Sequence, residues 1–198
     1  MPFTIDTVAD ALKSGTADLH AQTEALLIPK LSAIRSFADY AAILSMFYGY
    51  FQPMQQMTTA LITTDLLPDI QQRRHADLIL DDLSALGVYE TPEICDNLPL
   101  IDQTESAFGA LYVLEGSTLG GRMISKMLQK NQDINLDEQH LQFFRGYGEH
   151  TGYMWTTFKD SLNNFGYSGM MIEAANATFL HLKYWIKHCL YETSDRKK

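Results

Sequence analysis

The chain has 198 residues, of which 46% are hydrophobic and 20% charged, and its formal net charge is −9. This length suits a single domain over residues 1–198, and the composition is typical of a folded globule. The acidic balance argues against a nucleic-acid-binding protein, since the only basic run is the terminal RKK. No stretch approaches the ~18 continuous apolar residues of a membrane span, so no membrane partner is expected.

The compartment is indicated by the N-terminus and by the cysteines. The first residues, MPFTIDTVADALKSG, lack the basic start and apolar core of a secretory signal peptide. Cys95 and Cys189 are isolated and have no metal-site spacing, so both are expected to be reduced thiols. These features predict a cytoplasmic protein.

Hydrophobic periodicity predicts helices almost throughout the chain. The predicted helices span 5–27, 36–64, 70–86, 102–130, 137–146, 149–164 and 169–191. Pro29 is expected to end the first helix, and Pro53 to kink or split the second. No stretch alternates apolar and polar residues over enough positions for a strand. The expected fold class is therefore an all-α, single-domain bundle of six to eight helices.

Capping signals support several of these boundaries. Ser36 with Asp39, and Asp102 with Glu105, resemble capping boxes that would open the second and fourth helices. Gly87 is well placed to end the third helix, because glycine favours the left-handed conformation found there.

The first helix contains the segment KSGTADLHAQTE. Lys13 lies seven residues, or about 10 Å along the axis, before His20, and Glu24 lies four residues after it. On spacing alone, His20 is either a core histidine hydrogen-bonded to Glu24 or a metal or heme ligand. In the second case a partner would hold its other ring nitrogen.

The fourth predicted helix contains YVLEGSTLGGR, residues 112–122. Gly116, Gly120 and Gly121 should each weaken this helix by about 1 kcal/mol relative to alanine. One interpretation is close helix–helix packing, which small residues four apart permit. The other is that Gly116 and Gly120 flatten one face, so that a planar ligand lies against bare backbone.

Other catalytic patterns are missing from the sequence. No glutamate has a histidine three residues later, as a di-iron bundle requires. The sequence also contains no His-Glu-x-x-His, no Gly-x-Ser-x-Gly and no phosphate-binding glycine loop.

Taken together and in this order, the two segments resemble heme oxygenase. LKSGTADLH is similar to the family's Leu-Lys/Arg-x-x-Thr-x-x-x-His pattern, and EGSTLGG resembles the glycine-rich distal helix of its bacterial, biliverdin-producing branch. A late NATFLHLKYW segment looks like the family's last helix. The resemblance implies a heme oxygenase-like bundle that cleaves heme oxidatively to biliverdin, CO and ferrous iron. Heme would be cofactor and substrate, with O2 and a reductase or ferredoxin as partners and a bilin-binding photoreceptor as a candidate downstream.

The resemblance also assigns roles on the proximal side. His20 resembles the iron ligand, and Glu24 the companion that steadies it. Lys13 and Tyr112 match positions that reach the heme propionates, and Phe179 matches an aromatic wall residue.

On the distal side, Gly116 and Gly120 match the glycines that lie over the heme face. Ser117 and Thr118 are expected to hold the water that delivers protons. Ser117 stands where animal members carry an aspartate, and in this it resembles bacterial relatives.

Two departures leave alternatives open. The first is Ser117 in place of the animal aspartate. The second is the segment TGYMWTTF, which has no basic residue to bind the heme propionates; Lys159 or Arg122 is a candidate to replace it. One alternative is a heme-binding or trafficking protein of the same fold without oxygenase activity. The other is a non-heme member of the architecture, such as a thiamin-hydrolysing or cofactor-maturation enzyme.

Overall fold

The architecture is entirely helical. The structure, a computed structural model, describes residues 7–192; residues 1–6 and 193–198, which include the start of the first predicted helix and the RKK run, lie outside the described part. Seven α-helices lie within residues 7–192: α1 Val8–Ser32, α2 Phe37–Thr59, α3 Leu78–Ala85, α4 Thr104–Gln129, α5 Gln142–Arg145, α6 Thr151–Phe165 and α7 Gly169–Lys187. Residues 7–192 contain no strand, so the predicted all-α class is confirmed.

Helix α4 is the central element. It packs against α2, α5, α6 and α7, while α1 packs mainly against α7. Every residue from Ser106 to Glu115 except Tyr112 is buried, so the first half of α4 has neighbours on nearly every side. In its second half burial becomes periodic, and one face is exposed to solvent. None of the helices in residues 7–192 is long and apolar enough to cross a membrane.

Two prolines lie inside helices without ending them. Helix α1 continues three residues past Pro29, so the prediction that this proline ends it is wrong. The buried Leu31 anchors the last turn in the core, and such burial offsets the hydrogen bond that proline cannot make. Helix α2 runs unbroken through Pro53, with Met54 fully buried beside it, so the predicted split does not occur. It ends five residues short of the predicted boundary.

The two predicted capping boxes have different outcomes. Ser36 caps α2 as predicted, since its hydroxyl accepts the N–H of Asp39 at 3.1 Å. The prediction that Asp102 begins a capping box is wrong, because Gln103 is the residue that directly precedes α4. The Ser106 hydroxyl accepts the N–H of Gln103 at 3.1 Å, so the helix starts later than predicted.

The predicted helix 70–86 is divided. It consists of a 3-10 turn, Ile70–Gln72, and helix α3, separated by residues 73–77. The backbone is not helical at Arg73 and Arg74, because their side chains hydrogen-bond to Glu115 and Ser117 of α4. Gly87 follows α3 with a φ of +79°, which confirms the predicted helix end.

The predicted helix 137–146 is also divided, into a 3-10 turn, Glu138–His140, and α5. Helix α5 is capped from a distant part of the chain. The buried carboxylate of Asp82, on α3, accepts the N–H groups of Gln142 at 2.8 Å and Phe143 at 3.0 Å. A cap that comes from another helix leaves no local sequence signal.

Candidate functional site

Helices α1 and α4 leave exposed residues, among them His20 and Gly120, between two points at which they approach each other, and the space between these points is called the cleft below. At one end the Tyr112 side chain lies beside the Thr16 side chain. At the other end the Asn131 side chain donates to the Ile34 carbonyl at 2.9 Å. The two helices therefore run in the same direction, and the second contact joins the residues that directly follow them, about 27–29 Å further along the chain. Burial raises the pKa of Tyr112, and the nearby Thr16 side chain acts in the opposite direction.

One wall of this cleft belongs to α1. Lys13, His20 and Glu24 share the face of Thr16, because they lie at steps of three or four residues. His20 Nε2 lies 3.6 Å from Glu24 Oε1, and both side chains are 55% exposed. The interpretation of His20 as a core histidine is therefore wrong. Its ring contacts Phe179 of α7 edge to face, with ring centroids 5.5 Å apart.

The opposite wall is the glycine face of α4, and here the three glycines differ. A Cβ atom on Gly120 would meet nothing within 4 Å, and one on Gly116 would meet only Trp155, at 3.7 Å. A Cβ on Gly121 would lie 2.5 Å from the carbonyl oxygen of Phe144. Close packing thus explains Gly121, whereas Gly116 and Gly120 leave backbone accessible from the cleft.

Apolar side chains extend the glycine face toward the end of α4. Leu119, Met123 and Met127, called the apolar ledge below, are 41%, 76% and 37% exposed. At 100° per residue they lie on the same side of α4 as Gly116 and Gly120. A contiguous exposed apolar surface of this kind is typical of a binding site for a large apolar ligand.

A buried ion-pair network lies behind the glycine face, and the sequence analysis missed it. Arg73 is almost fully buried, and its Nη1 donates to Glu115 Oε2 at 2.8 Å and to the Met154 carbonyl at 2.9 Å. Its Nη2 donates to both carboxylate oxygens of Asp69, at 2.6 and 2.7 Å. These bonds fix α4 to the segment before α3 and to α6.

The same network reaches the edge of the cleft. The guanidinium of Arg74 donates to the Ser117 hydroxyl at 2.7 Å and to the Leu114 carbonyl at 3.2 Å. Its backbone N–H donates to the Tyr147 hydroxyl, which donates in turn to Glu115 at 2.9 Å. Burial lowers the pKa of Arg74 to about 10, so it remains a cation at neutral pH.

Ser117 and Thr118 therefore have different environments. The half-buried Ser117 hydroxyl donates to the Leu114 carbonyl at 2.6 Å while it accepts from Arg74. Thr118 is 1% exposed and donates to the Glu115 carbonyl at 2.7 Å. Thr118 faces the protein interior, so the expectation that it holds water in the cleft is wrong.

A small cavity adjoins the network. It measures about 20 Å³ and is lined by Gln55, Arg73, Arg74 and Glu115 among others. This volume is enough for about one water molecule with several polar partners. The cavity lies on the inner side of α4, away from the glycine face.

Two matched substitutions test the different roles of the neighbouring glycines. Gly120→Ala places a methyl group in open space and replaces a weak helix former by a strong one. The free energy of unfolding should therefore stay unchanged or increase by up to about 1 kcal/mol. Gly121→Ala drives the same methyl group against the Phe144 carbonyl and should cost about 1–3 kcal/mol. Urea denaturation followed by circular dichroism measures both. Equal changes would contradict the assignment.

Comparisons with known proteins relate the chain to one family. The heme oxygenase family model matches residues 6–188. A curated heme oxygenase from Xanthomonas campestris pv. campestris is 31% identical over 93 residues, which is 47% of this chain. The matched part spans about half of that relative, 54% of its length.

Solved structures show the same fold. The NO- and CO-bound heme oxygenase from Neisseria meningitidis superposes with a TM-score of 0.79 and 23% identity, covering 92% of both chains. Heme oxygenase from Leptospira interrogans gives a TM-score of 0.72 at 16% identity, covering 92% of this chain and 99% of that one. Since the family model covers nearly the whole sequence, the chain belongs to the heme oxygenase family.

Proposed function

We propose that this protein cleaves heme oxidatively to biliverdin, CO and ferrous iron, using O2 and electrons from a separate reductase or ferredoxin. The observation that carries the proposal is an accessible histidine, His20, on one wall of a cleft whose other wall is glycine backbone. Family membership supports the same reaction.

The residues present fit heme. The macrocycle supplies four ligands to its iron, so a single histidine suffices as the protein ligand. The open space at Gly116 and Gly120 admits a flat ring against α4, and the apolar ledge offers contact to its apolar edge. When bound, heme supplies the iron that activates O2 and the carbon skeleton that is opened.

On the proximal wall, His20 would bind the iron. One ring nitrogen faces Glu24, which leaves the other nitrogen for the metal. A carboxylate behind a ligating imidazole fixes the ring orientation and raises its basicity. Phe179 restricts the same ring from the α7 side.

On the distal wall, bare backbone would confine the ligand, and the buried network would hold that backbone in place. Arg74 ties Ser117 to the body of the protein, and Arg73 ties Glu115, two residues earlier on α4. The Ser117 hydroxyl already donates its hydrogen to the Leu114 carbonyl. Its role in proton delivery is therefore to accept a hydrogen bond, for example from a water molecule that it positions.

The test is a hemin titration of the purified protein, followed by ascorbate under air with spectra from the Soret band to the far red. Loss of the Soret band together with growth of biliverdin absorption is the expected result. A stoichiometric histidine-ligated heme that persists would instead favour the heme-binding or trafficking alternative. No Soret shift would contradict heme binding altogether.

Lys13→Ala tests the propionate assignment. Lys13 is exposed on the Thr16 face of α1 and lies near Asp10. Exposed ion pairs contribute up to about 1 kcal/mol, so the Kd for heme should rise about fivefold at most. Soret titration gives the Kd, and chromatography of the bilins reports any change in isomer. Lys187→Ala, an exposed cation on α7, is the control, and equal effects of the two variants would rule out a propionate role.

Three further expectations stay predictions. They are a single domain over residues 1–198, a cytoplasmic location and a bilin-binding photoreceptor as the consumer of the product.

A further inference from the structure

The residues that follow α7 pack on the last two turns of α1. Helix α7 is followed by a single π-helical turn, His188–Glu192. The Tyr191 hydroxyl donates to the Leu26 carbonyl at 2.8 Å, and the Lys30 ammonium lies 3.9 Å from the centroid of the Tyr191 ring. The same ammonium donates to the Leu190 carbonyl. Lys30, Leu190 and Tyr191 are called the π-turn contact below.

The π-turn contact lies at a weak point of α1. Pro29 is inside the helix, where it has no N–H to donate and where its ring crowds the carbonyl of Ala25. Sharp bends in helices occur mostly at prolines of this kind. Leu26 precedes the proline and Lys30 follows it, so one π-helical turn holds α1 on both sides of Pro29.

The section of α1 before the proline carries His20. Leu26 lies six residues after His20, which is about 9 Å along the axis and about 120° around the helix. Tyr191 therefore contacts α1 on a side that does not face the cleft. Any effect of Tyr191 on a group bound in the cleft has to pass through the helix.

Other residues of α7 contact the same section of α1. The Phe179 ring meets the His20 ring edge to face, with centroids 5.5 Å apart, and Lys183, four residues later, donates to the Gln22 side chain at 2.8 Å. Tyr191 is the next contact along this series. A tilt or rotation of α1 relative to α7 would turn the His20 ring against Phe179, so a contact that fixes the end of this section also fixes the ring.

We propose that Tyr191 is a positioning residue for the iron ligand His20. Its hydroxyl holds the end of the helical section that carries this histidine, and the π-turn contact prevents α1 from bending at Pro29. The orientation of His20 as a ligand rests on the proposed function, whereas the support of α1 is a property of the protein without heme. The two parts therefore have separate tests.

Hydrogen exchange of the heme-free protein tests the support of α1. Tyr191→Phe removes the hydroxyl and keeps the ring that the Lys30 ammonium contacts. Tyr184→Phe, which removes a hydroxyl from an exposed position on α7, is the matched control. Amide exchange over residues 22–30 should become about fivefold faster in Tyr191→Phe, because one hydrogen bond is lost, and should change by less than about twofold in the control. Mass spectrometry of peptic peptides measures both.

Replacing the proline tests why the support is needed. Pro29→Ala returns an N–H group to α1, so the helix should depend less on the Tyr191 hydroxyl. Exchange in Pro29→Ala/Tyr191→Phe should therefore lie within about twofold of Pro29→Ala alone. A full fivefold difference between these two variants would contradict the role of the proline.

Resonance Raman spectroscopy of the ferrous heme complex tests the positioning role. The iron–histidine stretching band should shift and broaden in Tyr191→Phe and stay unchanged in Tyr184→Phe, since it reports the orientation of the ligating ring. Unchanged exchange in Tyr191→Phe, or an equal change in the control, would overturn the support of α1. Faster exchange with an unchanged band would overturn the positioning role. A wild type without any iron–histidine band would instead contradict the proposed function, while exchange would still decide the support of α1.

Discussion

Replacing His20 by alanine is expected to remove iron ligation and, with it, both tight heme binding and turnover. His20 is the exposed histidine on the α1 wall, and its neighbours Glu24 and Phe179 orient the ring without occupying both nitrogens. Loss of a partner behind a metal ligand already costs about 10–100-fold in affinity or activity. Loss of the ligand itself should therefore lower ascorbate-driven turnover by more than about a hundredfold. Soret titration and bilin yield measure the two effects.

Chemical rescue makes this prediction specific. Added imidazole should restore a histidine-type Soret band in His20→Ala, because the space left by the side chain opens to the cleft. His75→Ala, which truncates another exposed histidine outside the cleft, is the control and should bind heme like the wild type. A Soret band in His20→Ala that matches the wild type without imidazole would remove His20 as the ligand.

Glu115→Ala should cause the largest loss of stability among single changes near the cleft. Glu115 is almost fully buried, pairs with Arg73 at 2.8 Å and accepts the Tyr147 hydroxyl at 2.9 Å. The substitution leaves the buried guanidinium of Arg73 with Asp69 as its only carboxylate partner, and the half-buried Tyr147 hydroxyl loses its acceptor. Breaking a buried pair by removing one partner costs about 3–5 kcal/mol. That is a large part of the stability of a typical domain, and urea denaturation measures it.

Two variants give this prediction its controls. Arg145→Ala breaks an exposed pair with Glu138 and should cost no more than about 1 kcal/mol. Glu115→Gln keeps the shape and an acceptor for Tyr147 but removes the charge, so its cost should fall between the other two. If Glu115→Ala is no more costly than Arg145→Ala, the network does not anchor α4.

The parts of the site that depend on residues close together in the sequence were predictable. The seven-residue and four-residue steps that link Lys13, His20 and Glu24 follow from helix geometry alone. The glycines of α4 are visible because they contradict the helix propensity of their surroundings. These two signals, in their order along the chain, were enough to indicate the family that the comparisons confirm.

The buried network was not predictable in the same way. Arg73 and Glu115 are 42 residues apart, and Arg74 and Ser117 are 43 apart. No spacing rule connects such distant residues, and two arginines within a predicted helix are typical of an ordinary solvated helix face. The break between Ile70–Gln72 and α3 arises for the same reason, since the buried bonds of two arginines override local helix propensity.

The sequence by itself determined the helical class, most helix positions, and the pairing of a histidine with a glycine-rich helix. It did so because periodicity, caps and propensity act over a few residues of chain. Only the tertiary structure decided that Gly121 is a packing residue while Gly120 faces open space, and that His20 is exposed. Those distinctions depend on which distant elements approach each helix face, and one residue along a helix turns that face by 100°.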